Sequence, residues 1–304
     1  MIDHYEAIKC PNCGKIEIAE IRPIITTYSG KFMGMDYNHK CSSCNFNIGK
    51  DKWDYQGHLI HNRFENIVPY LKSNSVDLVL TDPPFGVRKD EAWDDKRLFI
   101  SQIKFWITEC LRVSKHAVIW FCASKMMPYI FRAIPPELFH REHAIPYDES
   151  FNRSLDWRKP KGTQFAGASH NNIWYSKEPI LIFSKDIQRT ISYGGDMPFN
   201  YDYLEYDTVP KKKYGHKTSK PVLLIAKLIG HYSAPGEIIL DPFAGSGTLA
   251  EACIKTERKY MCIEMSPEPD RPTTDVDGDN PDHFNTILNR IKNINDSGDF
   301  FNGI

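Results

Sequence analysis

The sequence predicts an α/β protein built on a doubly wound, mostly parallel sheet, and three observations lead there. The apolar run Ile238-Ile-Leu ends at Asp241, passes through a turn holding Gly245 and Gly247, and enters Leu249-Ala-Glu-Ala252, which has helical character. A buried strand, a glycine loop and a helix start, in that order, form the nucleotide end of such sheets. About twenty residues on, Tyr260-Met-Cys-Ile reads as a second strand ending in Glu264, an acid placed to bond ribose hydroxyls. Strand-like apolar runs alternate with amphipathic stretches through most of the chain, the pattern of a parallel sheet.

Composition sets the bounds. With 304 residues, 41% of them hydrophobic, the chain can bury one large core and carry a small second module. It has no apolar run long enough to span a bilayer. Its start, Met-Ile-Asp-His-Tyr-Glu, meets no signal-peptide criterion. A soluble cytoplasmic protein with no membrane partner is expected. A net charge of -1 argues against indiscriminate polyanion binding but leaves room for a local basic stripe on phosphate.

Residues 1–52 read as a separate module. Cys10-Pro-Asn-Cys13 and Cys41-Ser-Ser-Cys44 flank a β-rich insert running from Ile16 to Thr27 and from Phe32 to Tyr37. Two such turns can set four thiolates tetrahedrally on one structural zinc ion. A segment this short cannot hold itself together by apolar burial alone, so metal would contribute to its folding. A disulfide pair and a redox Cys-x-x-Cys are the rivals, and both fit poorly with two matched pairs in a cytosolic chain. The module resembles a zinc ribbon. Cys110, Cys122, Cys253 and Cys262 sit among apolar residues and read as core.

Residues 53–304 form the larger domain. Phe64 to Leu71 reads as a helix, and Ser75-Val-Asp-Leu-Val-Leu80 as a buried strand. That strand delivers Thr81-Asp82-Pro83-Pro84-Phe85-Gly86 at its C-terminal end, the edge where the ligand crevice of an open α/β sheet lies. Consecutive prolines remove two N–H donors and leave carbonyls on offer. The Asp82 carboxylate and the Pro83 carbonyl can each accept one N–H from an exocyclic amine, while Phe85 stacks on the ring. A strand ending in a proline turn, with Phe85 in the core, reads equally well.

Lys96 to Val113 has helical spacing, Ala117-Val-Ile-Trp-Phe121 is a buried strand, and a helix from Ser124 ends before Pro135-Pro136. Leu155 to Gly162 reads as a loop with Arg153, Arg158, Lys159 and Lys161 around Trp157. Such a loop suits phosphate contact with base stacking, or is simply solvated. Pro179 to Phe183 returns to strand. Residues 186–216 have little regular pattern and are rich in tyrosine, ending near Lys211-Lys-Lys213. Pro221 to Ile229 is a helix with proline in its first turn, whose free N–H groups suit a carboxylate. Ser266 to Asp282 is acidic; Asp275-x-Asp277-x-Asp279 lacks the twelfth-position glutamate of a calcium loop and reads as solvated. Taken alone, Gly245-x-Gly247-x-x-Ala250 also fits a nicotinamide-dinucleotide fingerprint, so the loop says adenosine cofactor without saying which.

The motifs together carry a resemblance. Asp82-Pro83-Pro84-Phe85 is similar to the catalytic motif of S-adenosylmethionine-dependent methyltransferases that act on the amines of adenine or cytosine. Asp241-Pro-Phe243-Ala-Gly245-Ser246-Gly247-Thr248 resembles their cofactor loop. His216-Lys-Thr218-Ser219-Lys220-Pro221 resembles the short motif preceding that loop in the circularly permuted β class of DNA methyltransferases, and the order of the three motifs is that of the class. The resemblance runs from about Gly57 to Arg290.

It implies a Rossmann-like methyltransferase sheet, circularly permuted, with S-adenosylmethionine as cofactor and DNA as partner. It implies a flipped base held by Asp82, Pro83, Pro84 and Phe85. It implies a cofactor site of Thr218, Ser219, Lys220, Asp241, Phe243, Gly245, Ser246, Gly247, Thr248 and Glu264, with Asp241 taking the methionine ammonium. Target recognition is expected in residues 186–216, with the lysines from Lys211 to Lys220 tracking phosphate. Aspartate in the first motif position favours adenine N6 over cytosine N4. Family members often have Gly-Asp where this chain has His61-Asn62, and that acid would meet the cofactor's adenine amine. A homodimer and a partner restriction endonuclease stay open. So do a nicotinamide oxidoreductase, which leaves Asp82-Pro-Pro-Phe85 without a task, and an inert zinc-bearing DNA-binding protein.

Overall fold

The computed structural model describes residues 3–10, 12–13, 15–25, 32–36, 39–44, 47–48, 54–86, 96–134, 153–160, 176–185, 202–210, 219–266 and 282–297. The strands in chain order are β1 (Asp3–Lys9), β2 (Ile16–Ile25), β3 (Phe32–Asp36), β4 (His39–Lys40), β5 (Asn47–Ile48), β6 (Asp54–His61), β7 (Val76–Thr81), β8 (Ser114–Phe121), β9 (Arg153–Arg158), β10 (Lys177–Ser184), β11 (Tyr203–Glu205), β12 (Ile238–Asp241) and β13 (Lys259–Glu264). Among the described residues, all but β4 and β5 join one sheet, ordered β11-β9-β10-β8-β7-β12-β13-β6-β1-β2-β3.

The five central strands, β8, β7, β12, β13 and β6, are parallel. Their residues alternate between two cores. Leu78, Leu80, Ala117, Ile119, Ile239, Tyr260 and Cys262 pack into one. Val76, Val79, Val118, Trp120, Leu240 and Ile263 pack into the other. A strand buried on both faces must be apolar at successive positions, which is why these segments read as continuous runs. Helices cover both faces. α1 (Phe64–Ile67), α2 (Lys96–Val113) and α3 (Met127–Ala133) lie on the Val79 side. α4 (Val222–Tyr232), α5 (Thr248–Lys255) and α6 (His283–Ser297) lie on the Leu78 side.

The strand order places the site. β12 lies beside β7, pairing Leu240 with Val79. From β7 the chain leaves through α2 to β8 on one side, and from β12 through α5 to β13 on the other. Connections that diverge to opposite faces open a crevice at the C-terminal ends of the two strands between them. Asp82 and the glycine loop emerge at that point.

Residues 3–36 contribute strands to the same sheet. β1 runs antiparallel to β6, with His4 opposite Ile60 and Ala7 opposite Gly57, and β2 and β3 extend the edge. Gly57 is required there: a Cβ would lie 2.5 Å from the buried Tyr260 ring on β13.

Two local expectations change. Residues 153–158 are a strand, β9, in place of the expected loop; Leu155 and Trp157 face the core while Ser154 and Arg158 are exposed. The period of two was present in the sequence, and the charged outer positions hid it. The helix expected over Phe64 to Leu71 is one α turn followed by the 3₁₀ turn Val68–Tyr70, where Pro69 has no N–H to continue the α ladder. Residues 186–200, Lys211 to Thr218 and Asp275 to Asp279 lie outside the described residues. No described helix is long and apolar enough to cross a membrane.

Candidate active site

The glycine loop is held from three directions. Asp241, the last residue of β12, is buried, and its Oδ1 accepts the Thr81 hydroxyl at 2.9 Å and the Phe243 N–H at 3.1 Å. Burial pushes its carboxyl up to about 7 despite those two donors. Glu264, ending β13, accepts the Gly245 N–H on Oε2 at 2.7 Å and the Ser266 N–H on Oε1 at 2.8 Å, and burial again pushes it to about 7. Gly247 caps α5 in the left-handed region at φ 76°, and a Cβ there would lie 2.9 Å from the Ile287 side chain. The loop thus passes close against α6, where only glycine fits.

Ser219 and Lys220 dock onto this loop. The Ser219 hydroxyl donates to Ser246 Oγ at 2.9 Å, and Thr248 Oγ1 donates to the Lys220 carbonyl at 3.3 Å. Arg290 on α6 donates to the Ser246 carbonyl at 2.9 Å and pairs with Glu251. Phe243 packs its ring against Trp106, centroids 4.9 Å apart, and Phe64, 5.9 Å apart. Asn62 Oδ1 accepts from the Arg63 N–H and the Asn66 amide, both at 2.8 Å, so its oxygen is engaged in opening α1.

Asp82 follows directly on β7. Lys220 Nζ donates to Asp82 Oδ2 at 2.6 Å and lies 2.9 Å from Glu178 Oε1; Glu178 Oε2 lies 3.0 Å from Lys159 Nζ. Four charges of alternating sign, Lys159, Glu178, Lys220 and Asp82, thereby form one row. Burial raises the Asp82 carboxyl to about 6, with the Lys220 charge opposing the rise. Burial also disfavours the Lys220 ammonium, but Asp82 and Glu178 outweigh it and hold that group above the usual lysine range. Asp82 Oδ1 is buried and has no hydrogen-bond partner among the described residues. Phe85 is partly buried and its ring centroid is 5.5 Å from Lys220 Nζ; Pro83 is buried and Pro84 half-buried.

The sequence-derived residues therefore converge, with two adjustments. The Lys220 side chain, grouped with the cofactor contacts, is bonded to Asp82, and only its carbonyl meets the glycine loop. Thr218 lies outside the described residues. Glu178 and Arg290 were not singled out. Glu178 is a lone acid opening the apolar run of β10, and nothing local marks it. Lys159 and Trp157, grouped with a phosphate-contacting loop, are buried, and the Trp157 indole donates to the Tyr206 carbonyl at 2.9 Å.

The four N-terminal cysteines also converge. Cys10 and Cys44 sulfurs are 3.7 Å apart, as are those of Cys13 and Cys41, and all four lie within 4.8 Å of one another. No disulfide joins them. Backbone N–H groups of Ser43 and Cys44 are directed at the Cys41 sulfur. A second cluster, Asp77, His116 and Glu237, lies at the N-terminal ends of the central strands β7, β8 and β12, remote from the crevice. There Asp77 accepts the Ile238 N–H and the Lys115 ammonium, each at 2.9 Å, and acts as a staple between strands.

Comparison with known proteins agrees with this geometry. Residues 76–269 match the profile of the N6/N4 methyltransferase family, described as DNA methylase. The type II methyltransferase M.HpaI of Haemophilus parainfluenzae is 30% identical over 218 residues, covering 65% of this chain and 67% of that protein. The DNA adenine methyltransferase YhdJ of Escherichia coli K12 is 30% identical over 224 residues, covering 65% and 74%. The solved M1.HpyAVI–SAM complex shares the fold with a TM-score of 0.50 at 22% identity, covering 76% of this chain and 98% of that one. The cytosine-N4-specific PvuII DNA methyltransferase does so with 0.51 at 17%, covering 77% and 93%. The matched span begins at β7, before Asp82, and ends beyond Glu264, so it contains the whole crevice edge: the chain belongs to the N6/N4 DNA methylase family.

Proposed function

We propose that the protein transfers a methyl group from S-adenosylmethionine to the exocyclic amine of a base flipped out of DNA, and that the base is adenine, modified at N6. The observation that carries this is the buried, unpartnered Asp82 Oδ1 at the mouth of the crevice beside the glycine loop. A buried carboxylate oxygen without a donor is costly unless a ligand supplies one, and an amine N–H is such a donor.

The bound cofactor supplies an electrophilic methyl group on a sulfonium. Asp241 suits its ammonium, Glu264 its ribose hydroxyls, and the N-terminus of α4 with Ser219 its carboxylate. Asp82 and the Pro83 carbonyl hold the two amine hydrogens and so aim the nitrogen lone pair at the methyl carbon. The N–C bond forms as the C–S bond breaks, and the surplus amine proton leaves toward Asp82. Phe85 stacks on the base, and positioning supplies most of the acceleration.

Adenine is supported by aspartate at the first motif position and by the printed activity of the relative YhdJ. Cytosine N4 is the second reading, because the PvuII enzyme shares the fold and the same two acceptors suit either amine. Methylation of unmethylated DNA with labelled S-adenosylmethionine, followed by nucleoside analysis, tests both. Label in 6-methyladenine is expected; label confined to 4-methylcytosine moves the assignment to cytosine, and unlabelled DNA overturns the reading.

The same proposal includes one structural zinc on Cys10, Cys13, Cys41 and Cys44. A tetrahedron with Zn–S bonds of about 2.3 Å has edges of about 3.7–3.8 Å, and the Cys10–Cys44 and Cys13–Cys41 sulfur pairs stand at 3.7 Å. The N–H groups directed at Cys41 orient a thiolate as outer-sphere donors do.

A further inference from the structure

Asn62 offers the cofactor side of the crevice a donor, where a carboxylate would offer only acceptors. We propose that Asn62 is a specificity residue of the cofactor site, donating through Nδ2 to a ring nitrogen of the cofactor's adenine and leaving the adenine amine unread. This rests on the S-adenosylmethionine reading above and adds to it which atoms of the purine the chain selects.

The bonds on the amide fix its polarity. Oδ1 accepts the Arg63 N–H and the Asn66 amide, both at 2.8 Å. A backbone N–H can only donate, so the atom it meets is the oxygen, and the amide is not free to turn over. Two donors fill the two lone pairs of that oxygen. The paired grip of an asparagine on adenine, one bond from the amine and one to the ring, is therefore closed to it. Asn62 is half-buried, and its Nδ2 has no partner among the described residues.

Sheet order puts that donor beside the purine. β12, β13 and β6 are consecutive parallel strands, ending at Asp241, Glu264 and His61 with Asn62 directly after. With the methionine ammonium on Asp241 and the ribose on Glu264, the purine continues towards β6. The Asn62 N–H donates to the Glu264 carbonyl at 3.0 Å and ties these strand ends together. His61 is turned to the α6 face, its ring stacked on Phe284 with centroids 4.6 Å apart. On the α1 face, Phe243 of the glycine loop is only partly buried and leans on Phe64 and Trp106. It offers an apolar surface to a planar ring.

The test measures binding by calorimetry on the full chain, with S-adenosylhomocysteine and its 1-deaza, 7-deaza and 6-deamino analogues. In the wild type, one of the two deaza analogues should bind about fivefold to tenfold more weakly than S-adenosylhomocysteine. Asn62→Ala should weaken S-adenosylhomocysteine by a similar factor and bring that deaza analogue level with it. Loss of the amine should cost the same factor in wild type and in Asn62→Ala. Asn62→Asp keeps an oxygen for the Arg63 N–H and sets a second acceptor in place of Nδ2. It should erase the ring-nitrogen preference and make loss of the amine costlier than in wild type. Equal binding of both deaza analogues and S-adenosylhomocysteine by the wild type would overturn the proposal. So would a ring preference that survives in the variants, or an amine preference that Asn62→Ala removes. Should Asn62→Ala fail to fold, Asn62→Asp decides alone. A wild-type chain that binds no S-adenosylhomocysteine defeats the cofactor reading and this proposal with it, whereas binding without a ring preference defeats this proposal alone.

Discussion

The Thr81 hydroxyl donates to Asp241 Oδ1 at 2.9 Å across 160 positions of sequence. This bond joins the residue before the Asp82 motif to the residue that opens the glycine loop. The Asp82 turn and the glycine loop are therefore registered to each other by one buried contact, with Thr81 fully buried.

Thr81→Val keeps the side-chain shape and removes the donor. A buried acceptor that loses one of two donors costs about 1–2 kcal/mol, so the unfolding free energy from denaturant titration should fall by that amount. Affinity for S-adenosylmethionine, measured by calorimetry, should weaken by about tenfold. Wild-type values in both would remove the bond from this role.

Burial pushes the carboxyls of Asp241 and Glu264 up to about 7 and that of Asp82 up to about 6. Unfolded carboxylates titrate at about 4. Between about pH 4 and 7 the folded chain holds protons that the unfolded chain has lost, so these groups make stability fall as pH rises through that window. Asp241→Asn stays neutral throughout. Wild type should lose thermal stability relative to this variant from pH 5 to pH 8; a constant difference would contradict the assignment. The proposed seating of the cofactor ammonium on Asp241 should release protons on binding below pH 7, read by calorimetry in buffers of different ionisation enthalpy.

Asp82→Ala should lower methyl transfer by at least about 10²–10³-fold. S-adenosylmethionine should still bind with near wild-type affinity, because no cofactor-loop hydrogen bond involves Asp82 among the described residues. Retained transfer would take Asp82 out of the reaction.

Gly247 and Gly236 both have positive φ, at 76° and 83°, but only Gly247 has a neighbour where a Cβ would go. Gly236→Ala should cost about 1–2 kcal/mol of backbone strain in denaturant unfolding. Gly247→Ala should cost more, because Ile287 must shift, and should also weaken cofactor binding. Equal losses would mean that the clash relaxes freely.

The cysteine cluster should hold one zinc per chain by elemental analysis. Cys41→Ser should lower that occupancy below half and depress the melting temperature, as should a strong chelator. The effect is expected to reach the crevice weakly, since β1 meets β6 and β6 meets β13, which carries Glu264. Metal-free protein with wild-type stability would dismiss the zinc.

Several features were legible in the residues alone because their signals are local. β7, β12 and β13 are doubly buried and so must be apolar at consecutive positions. The loop at Gly245 and Gly247 must adopt left-handed backbone, and the prolines after Asp82 strip the turn of donors. The two Cys-x-x-Cys pairs announce their geometry by spacing. The order of the motifs along the chain pointed to the family.

Tertiary structure alone decided which groups face one another. Glu178, Lys159 and Arg290 took their roles from partners 19 to 44 positions away, and no short-range pattern encodes such pairings. Lys220 was assigned to the cofactor by its neighbours in sequence, yet its ammonium turns to Asp82, 138 positions distant, because that is where buried opposite charge lies. β9 hid as a charged loop until β10 and β11 closed over its apolar alternate residues. The N-terminal strands joined the main sheet because the edge of β6 offered unpaired backbone groups to satisfy. Local sequence determines what each segment can be; long-range burial and charge pairing determine which of those segments complete a site.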